Sequence, residues 1–299
     1  MLGKKDFINE LGKGICIYPF HEKNIKENSY NLTIGQNAWS LGSSSIIRRE
    51  EGKYTKPKSG DRKEQFKSIN KGQSAIVEDG SNRYLILNPH TTTIVETSEA
   101  VGVDNRIGGT IHSKVGIVAL GIGDTSTMLG PCFCGHLMIS LHNVTDEVVT
   151  LPVGDTFVSL IFYYLNTPND ITKNTNMSGH VDKLSELGIQ ISKKTREFLL
   201  EDWKQNIDGI RDRLTRSDDY IKFQNKVKEK KNENIKRIFS LRNIILVIIL
   251  AVIFLGLFLL SIRMDRISGN SKWMDRFWTI VLTVLIIPLL NFVKNRFDK

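Results

Sequence analysis

Apolar and polar positions alternate along this chain with three different periods, and each period marks a different kind of element. Tyr30, Leu32 and Ile34 alternate with polar neighbours, which predicts a strand ending at Gly35. From residue 73 to 165 the pattern is short strand, turn, short strand. QSAIVED, YLILNP, TTTIVETS, GGTIHS, GIVALGI, HLMISLHN, EVVTLP and DTFVSLIFYYL are β-rich runs punctuated by Gly, Pro, Asn and Asp. Eight such runs without a helical period predict a mainly β domain of sandwich or jelly-roll type. Residues 48–67 and 166–181 are polar and aperiodic and read as loops. From about 182 to 240 apolar residues recur three and four apart among many charges, which predicts amphipathic helices able to self-associate.

A third pattern begins at residue 244. The run IILVIILAVIFLGLFLLSI, Ile244 to Ile262, is 19 residues without a charge, and 16 of them are Leu, Ile, Val or Phe. At about 1.5 Å per residue a helix of that length crosses most of a ~30 Å hydrocarbon core. A second apolar run, Phe277 to Val293, carries Pro288, which kinks a helix or breaks one hydrogen bond. Trp273 and Trp278 stand where an aromatic belt would sit. Asn291 is its one strongly polar residue, suited to helix–helix hydrogen bonding or to the interface. The short connection 263–276 makes the two runs a transmembrane hairpin. The expected organisation is a domain over 1–168, a basic helical linker over 169–242 and the hairpin over 243–299.

Charge sharpens this picture. The net charge is +9, from 41 Lys and Arg against 32 Asp and Glu. Eight of the basic residues lie between 222 and 242, directly before the first span. Such a cluster suits anionic lipid head groups, each charge contributing about 1 kcal/mol near the surface. Basic flanks outside both spans place both termini in the cytoplasm of a multi-pass inner-membrane protein, although the connection also holds four Lys or Arg. No apolar leader precedes the first domain. Lipid, rather than nucleic acid, is the polyanion this distribution favours. The three cysteines, Cys16, Cys132 and Cys134, make no disulfide framework and fit a reducing compartment.

Standard catalytic motifs are absent. There is no Gly-rich phosphate loop ending in Gly-Lys-Ser/Thr and no H-E-x-x-H. Zinc nucleobase deaminases pair H-x-E with P-C-x-x-C; here Pro131-Cys132-Phe133-Cys134 is one residue short, no His is followed by x-E, and alternation along a strand turns the two thiols apart. No metal and no cofactor are expected.

Five stretches in order, NSYNLTIG (28–35), LILNPHTTTIVETSE (85–99), HSKVGIVALGI (112–122), GPCFCGHLMISLHN (130–143) and VTLPVGDTFVSLIFYYL (149–165), resemble the dCTP deaminase and dUTPase family over roughly residues 5–168. The resemblance implies a distorted β-jelly roll forming homotrimers, with the pyrimidine in a hairpin pocket and the phosphates at a Ser-rich motif near a subunit boundary. It also implies catalytic groups that this chain lacks. The family's Arg-Ser-Ser stretch is replaced by Ile111-His112-Ser113-Lys114, which keeps Ser113 as a hydrogen-bonding group and Lys114 as a point charge for a phosphate. The deaminase Glu that activates water corresponds to Ser140, with Asn143 kept. A serine hydroxyl does not take water's proton near neutral pH. The dUTPase Asp corresponds to Gly130, the Gln of the last family strand corresponds to Ser159, and no triphosphate clasp follows residue 165. The resemblance therefore implies a pocket that holds a nucleotide without reacting it, with Ser113, Lys114, Asp124, Gly135, His136 and Ser140 as its candidate residues. Asp124 stands either as a replacement acid or as a turn residue; His112, His136 and His142 stand either in the pocket or in structural roles.

A nucleotide-binding domain joined to a membrane hairpin is similar to the membrane effectors of Pycsar anti-phage systems, which respond to cyclic UMP or cyclic CMP. The analogy implies a defence effector that senses a cyclic pyrimidine nucleotide and impairs the membrane. The alternative is a membrane-tethered dCTP deaminase or dUTPase.

Overall fold

In a computed structural model the described residues are 1–42, 44–48, 65–69, 72–124, 127–168, 180–238, 241–268, 272–281 and 283. Of the stretch 48–67, read from sequence as a loop, 49–64 lies outside them, and its two ends correct the reading: Arg48 and Gln65 face each other in a strand pair that runs on through residues 66 and 67; 169–179 and Val293 also lie outside.

Strands β1 (Ile15–Tyr18), β2 (Tyr30–Ser40), β3 (Ser44–Arg48), β4 (Gln65–Ile69), β5 (Ile76–Asp79), β6 (Asn82–Leu87) and β7 (Thr92–Val103) precede β8 (Ile107–Ser113), β9 (Ile122–Asp124), β10 (Thr127–Leu129), β11 (Cys134–Asn143), β12 (Val149–Pro152) and β13 (Thr156–Tyr164). An eight-stranded curled sheet runs in the order β10-β8-β13-β2-β7-β11-β9, with β1 added to β7. A β12-β6-β5 sheet and the β3-β4 pair complete the set. The mainly β expectation therefore holds.

β7 organises the sheet. Its first half pairs with β2, its second half with β1, and β11 lies along its other side. Thr, Val and Ile suit such a strand. Buried in it, however, are Glu96 and Glu99, 1% and 0% exposed.

Two further expectations are corrected. The strand at 30–34 does not stop at Gly35; it continues to Ser40, with a register shift between Ile34 and Ala38. A Cβ on Gly35 would meet the Glu96 carbonyl oxygen at 2.7 Å, so this glycine admits a neighbouring strand rather than ending its own. The apolar run GIVALGI is not one strand. Val115–Val118 is a short helix, α2, and only Ile122 onward is extended. Short apolar runs carry no period that separates the two.

The helices after residue 180 follow their sequence pattern: α3 (Val181–Glu186), α4 (Lys193–Leu199), α5 (Ile207–Arg216) and α6 (Asp218–Ile238), with a 3-10 turn at Asp202–Lys204. Most do more than link. Val181 and Leu184 of α3, Ile189 of the connection after it and Leu199 of α4 share one core cluster with Trp39 and Ile94 of the sheet, and Met138 joins it. On α5, Ile207 and Ile210 stand 3.2 and 3.3 Å from where a Gly102 Cβ would be. One compact unit accordingly spans Met1–Asn225 and a second Lys226–Lys299.

In the second unit α7 (Leu241–Ser268) carries the whole 244–262 run on one 28-residue helix, and α8 (Lys272–Ile280) packs on it. The Phe277 ring lies 5.3 Å from Phe254 and 5.6 Å from Phe258. Among the described residues no helix is long and apolar enough to cross a membrane; side chains of α7 are described from Ile248 onward. Ile262 is half-buried, whereas the side chain of Ile244 lies outside the described set.

Candidate functional site

The Ser113-Lys114 pair ends β8. Ser113 pairs with Val158 of β13, and its hydroxyl is buried. Lys114 follows as the residue before α2; its backbone N donates to the Phe157 carbonyl at 3.2 Å. Its ammonium donates to the Thr156 carbonyl at 3.3 Å and to the Thr156 hydroxyl. The charge expected for a phosphate is thus held against the start of β13. His112 is exposed and meets the Thr110 hydroxyl at 3.1 Å. Ser159, at the family Gln position, donates to Asn31 Oδ1 at 2.9 Å.

Ser140 stands on β11, half-buried, opposite Ile94 of β7. Opposed residues of an antiparallel pair share a face. Ile94 belongs to the cluster under α3 and α4, so Ser140 is on the face those helices roof. His142, two residues on, meets the Thr92 hydroxyl at 2.7 Å. Asn143 is wholly engaged in structure: its amide donates to the Leu87 and Glu147 carbonyls, and its oxygen accepts from Thr145. β9 pairs with this end of β11, placing Asp124 opposite Leu141, one residue from Ser140. The Asp124 side chain lies outside the described residues. As the sheet curls, β8 also approaches β9.

Gly135 and His136 sit elsewhere. They pair with Val101 and Ala100, toward the far end of β11. His136 is 2% exposed. Its Nδ1 lies 2.8 Å from the Thr97 carbonyl and 3.5 Å from Glu96 Oε1, and its ring is 5.3 Å from Phe198 of α4. Burial, then Lys204, pushes its pKa down to about 3, so the imidazole is neutral at physiological pH. The six candidate residues therefore do not form one cluster: Asp124 and Ser140 lie at one end of β11, Ser113 and Lys114 at the end of β8, and Gly135 and His136 toward the other end of β11, with His136 against Phe198 of α4. At Gly130 nothing lies within 4 Å of where a Cβ would stand. Space there does not forbid the carboxylate the resemblance implies.

Sequence reasoning missed three buried charged residues, Glu96, Glu99 and Lys204. Glu96 accepts from the Asn37 backbone N at 3.1 Å and from Asn37 Nδ2 at 2.6 Å. Glu99 accepts from the Thr33 backbone N and hydroxyl, both at 2.9 Å. Burial, only partly opposed by these bonds, raises each pKa to about 7. Lys204, 0% exposed, reaches this region from the 3-10 turn. Its ammonium lies 2.5 Å from the Phe198 carbonyl, 3.2 Å over the Phe198 ring and 3.6 Å from Glu201. Burial lowers its pKa; Glu201 and Glu96 oppose that. Two acidic residues inside the Val- and Thr-rich run IVETSEAV were the available signal, since such strands rarely carry unpaired charge. Among the described residues no group of His, Cys, Asp or Glu is arranged to hold a metal. Burial raises the Cys16 and Cys134 thiols to about 11 and about 12, which leaves both protonated and unreactive.

The family model for dCTP deaminase-like domains matches residues 1–165, over half of the chain. The chain belongs to the dCTP deaminase-like family. The match to this dCTP deaminase-like domain ends before α3, so the helices that roof β7 and β11 lie beyond it. Related proteins include the dCTP deaminase of Pyrococcus horikoshii, 23% identical over 159 residues, which are 53% of this chain and 81% of that one. The dUMP-forming dCTP deaminase of Nocardia farcinica is 27% identical over 97 residues, 32% of this chain and 49% of that one. Among solved structures, the dCTP deaminase of Agrobacterium tumefaciens aligns with a TM-score of 0.38 at 13% identity, covering 64% of this chain and 54% of that one.

Proposed function

We propose that the dCTP deaminase-like domain binds a pyrimidine nucleotide without converting it, and that binding drives the apolar helices to impair the inner membrane during phage infection. A cyclic pyrimidine monophosphate, cUMP or cCMP, is the ligand of this reading. What supports the reading is the resemblance taken position by position: it sets Ser140 and Gly130 where family carboxylates would activate water. Ser113 and Lys114 remain to meet a phosphate. The run 244–262 within α7, and the basic residues of α6 before it, support the membrane half. Ligand shifts the assembly only if it binds the active arrangement more tightly than the resting one. A homotrimer would gather about six such helices, enough to form or disrupt a barrier.

The competing reading is catalysis, which the names of the related proteins favour and for which Asp124, across from Leu141, is the replacement base. One experiment separates them. Full chain in detergent micelles is titrated with cUMP, cCMP, dCTP, dUTP and a cyclic purine, and each mixture is assayed for ammonia and pyrophosphate. Binding of a cyclic pyrimidine without turnover is expected, with affinity falling about tenfold or more in Lys114→Ala, the loss of one charge-assisted contact. Turnover of dCTP or dUTP would sink the non-catalytic reading. Failure of every nucleotide to bind would reduce the likeness to one of fold.

A further inference from the structure

Three segments distant in sequence line an open cleft of about 850 Å³. They are the β2 bend at Asn37–Trp39, the turn at 72–74 and the stretch 188–195, which leads from α3 into the first turn of α4. The volume falls in the range of small-molecule sites. Backbone bonds fix the walls. Gly72 N donates to the Ser40 carbonyl at 2.8 Å, Ala75 N to the Ala38 carbonyl at 2.9 Å, and Trp39 bridges to Ser74. On the other side Gly188, at φ +75°, closes α3 in the left-handed conformation, and Ile189 N donates to the Leu184 carbonyl at 3.0 Å. Walls already ordered cost little to order on binding.

The lining has a definite chemistry. Asn37, Gln73 and Gln190 bring carboxamides, Ser192 and Thr195 hydroxyls, and Trp39 an aromatic face; among the described residues that line it none is ionisable. Such a wall hydrogen-bonds neutral polar edges and gives a phosphate no counter-charge. Asn37 is set in one orientation. Its Nδ2 and backbone N both donate to Glu96 Oε2, and Glu96 is buried. The Asn37 backbone N–H makes Oε2 an acceptor whether or not Glu96 carries a proton, so the amide's NH2 end is turned to that oxygen and Oδ1 is the atom left for a ligand. An acceptor on a rigid wall selects a donor.

We propose that this cleft binds an uncharged, amine-bearing heterocycle, a nucleobase of the cytosine or adenine kind, and reads its amine through Asn37 Oδ1. The site stands apart from Ser113-Lys114. One of its walls, 188–195, lies beyond the residues matched by the family, so the proposal does not depend on the nucleotide reading above.

The test titrates full chain in detergent micelles with cytidine, adenosine and uridine, with ribose as control, by calorimetry. Cytidine or adenosine is expected to saturate one site per chain. Uridine, which would oppose a carbonyl to Asn37 Oδ1, is expected at least tenfold weaker. Gln190→Ala removes one carboxamide at an exposed position and Gln190→Trp fills the cleft; both are expected to weaken binding tenfold or more. The proposal falls if no nucleoside saturates, if uridine equals the amine-bearing bases, or if both Gln190 variants bind as before. Binding lost in Lys114→Ala but kept in Gln190→Trp would place the base in the β8–β11 region, overturning this proposal while leaving the nucleotide reading intact. Nucleoside binding lost in Gln190→Trp, with no affinity for cUMP or cCMP, would do the reverse.

Discussion

Glu96, Glu99 and His136 bury three titratable groups in one neighbourhood, and they pull stability in opposite directions with pH. Each Glu has its pKa raised from 4.5 to about 7. Between those values the folded chain holds a proton that the unfolded chain has released, so stability is full below about 4.5 and falls as pH rises to about 7. His136, lowered from 6.5 to about 3, acts oppositely: stability it contributes rises from pH 3 to 6.5. With two Glu against one His, these groups make stability fall from about pH 5 to 7 by up to about 1.4 kcal/mol per pH unit for each uncompensated proton. Urea midpoints across pH 5–7 should therefore decline. In Glu96→Gln, which keeps an acceptor for Asn37, the decline should be shallower by roughly one proton's worth. A midpoint that rises with pH in both proteins would show these carboxyls to be ordinary. None of this was legible from single letters. Glu96 reads as a polar position in an alternating strand until β2, β11 and Lys204 close around it.

At the scale of elements, α5 rests on two glycines rather than on side-chain bulk. A Cβ at Gly209 would meet the Trp203 carbonyl oxygen at 2.4 Å, while Gly102 leaves room for Ile207 and Ile210. Helix propensity alone makes Gly209→Ala stabilising by about 1 kcal/mol. The close approach predicts the opposite, a net loss of about 1–3 kcal/mol as α5 is forced away from the 3-10 turn that holds Trp203. Chemical denaturation of the variant decides the sign. Strands and helices were largely legible from their periods, because alternation and 3.6-residue spacing are local. The exceptions are instructive. GIVALGI is short and apolar throughout, so nothing local distinguishes helix from strand; Gly35 reads as a strand end because its function, admitting β7, is set by a partner sixty residues away. The cleft was invisible for the same reason, being assembled from three segments that share no motif.

For the molecule as a whole, the division of the sequence at residue 168 and the division of its contacts do not coincide. The first compact unit reaches Asn225. Cutting at 168 would strip α3 and α4 from Trp39, Ile94 and Met138, remove α5 from Gly102, and take Lys204 away from Glu96. A chain ending at 168 is expected to aggregate or bind a hydrophobic dye, whereas one ending at 225 should be soluble and cooperatively folded. Equal behaviour of the two would mean that the helices add nothing to the sheet. The order of the five family-like stretches was readable from sequence; the helices' role as a roof was not, since amphipathic helices look the same whether their partner is a sheet or one another.

The position of β7 also has a consequence in time. On a ribosome it emerges well before β11, and on the order of a hundred residues before Lys204. At 5–20 residues per second that is a wait of roughly five to twenty seconds. During it the strand offers bare backbone and two carboxyls still free to ionise in water. Charge keeps such an edge from pairing with neighbours. The glutamates that later cost stability inside the sheet would thus serve the nascent chain as its guard against aggregation.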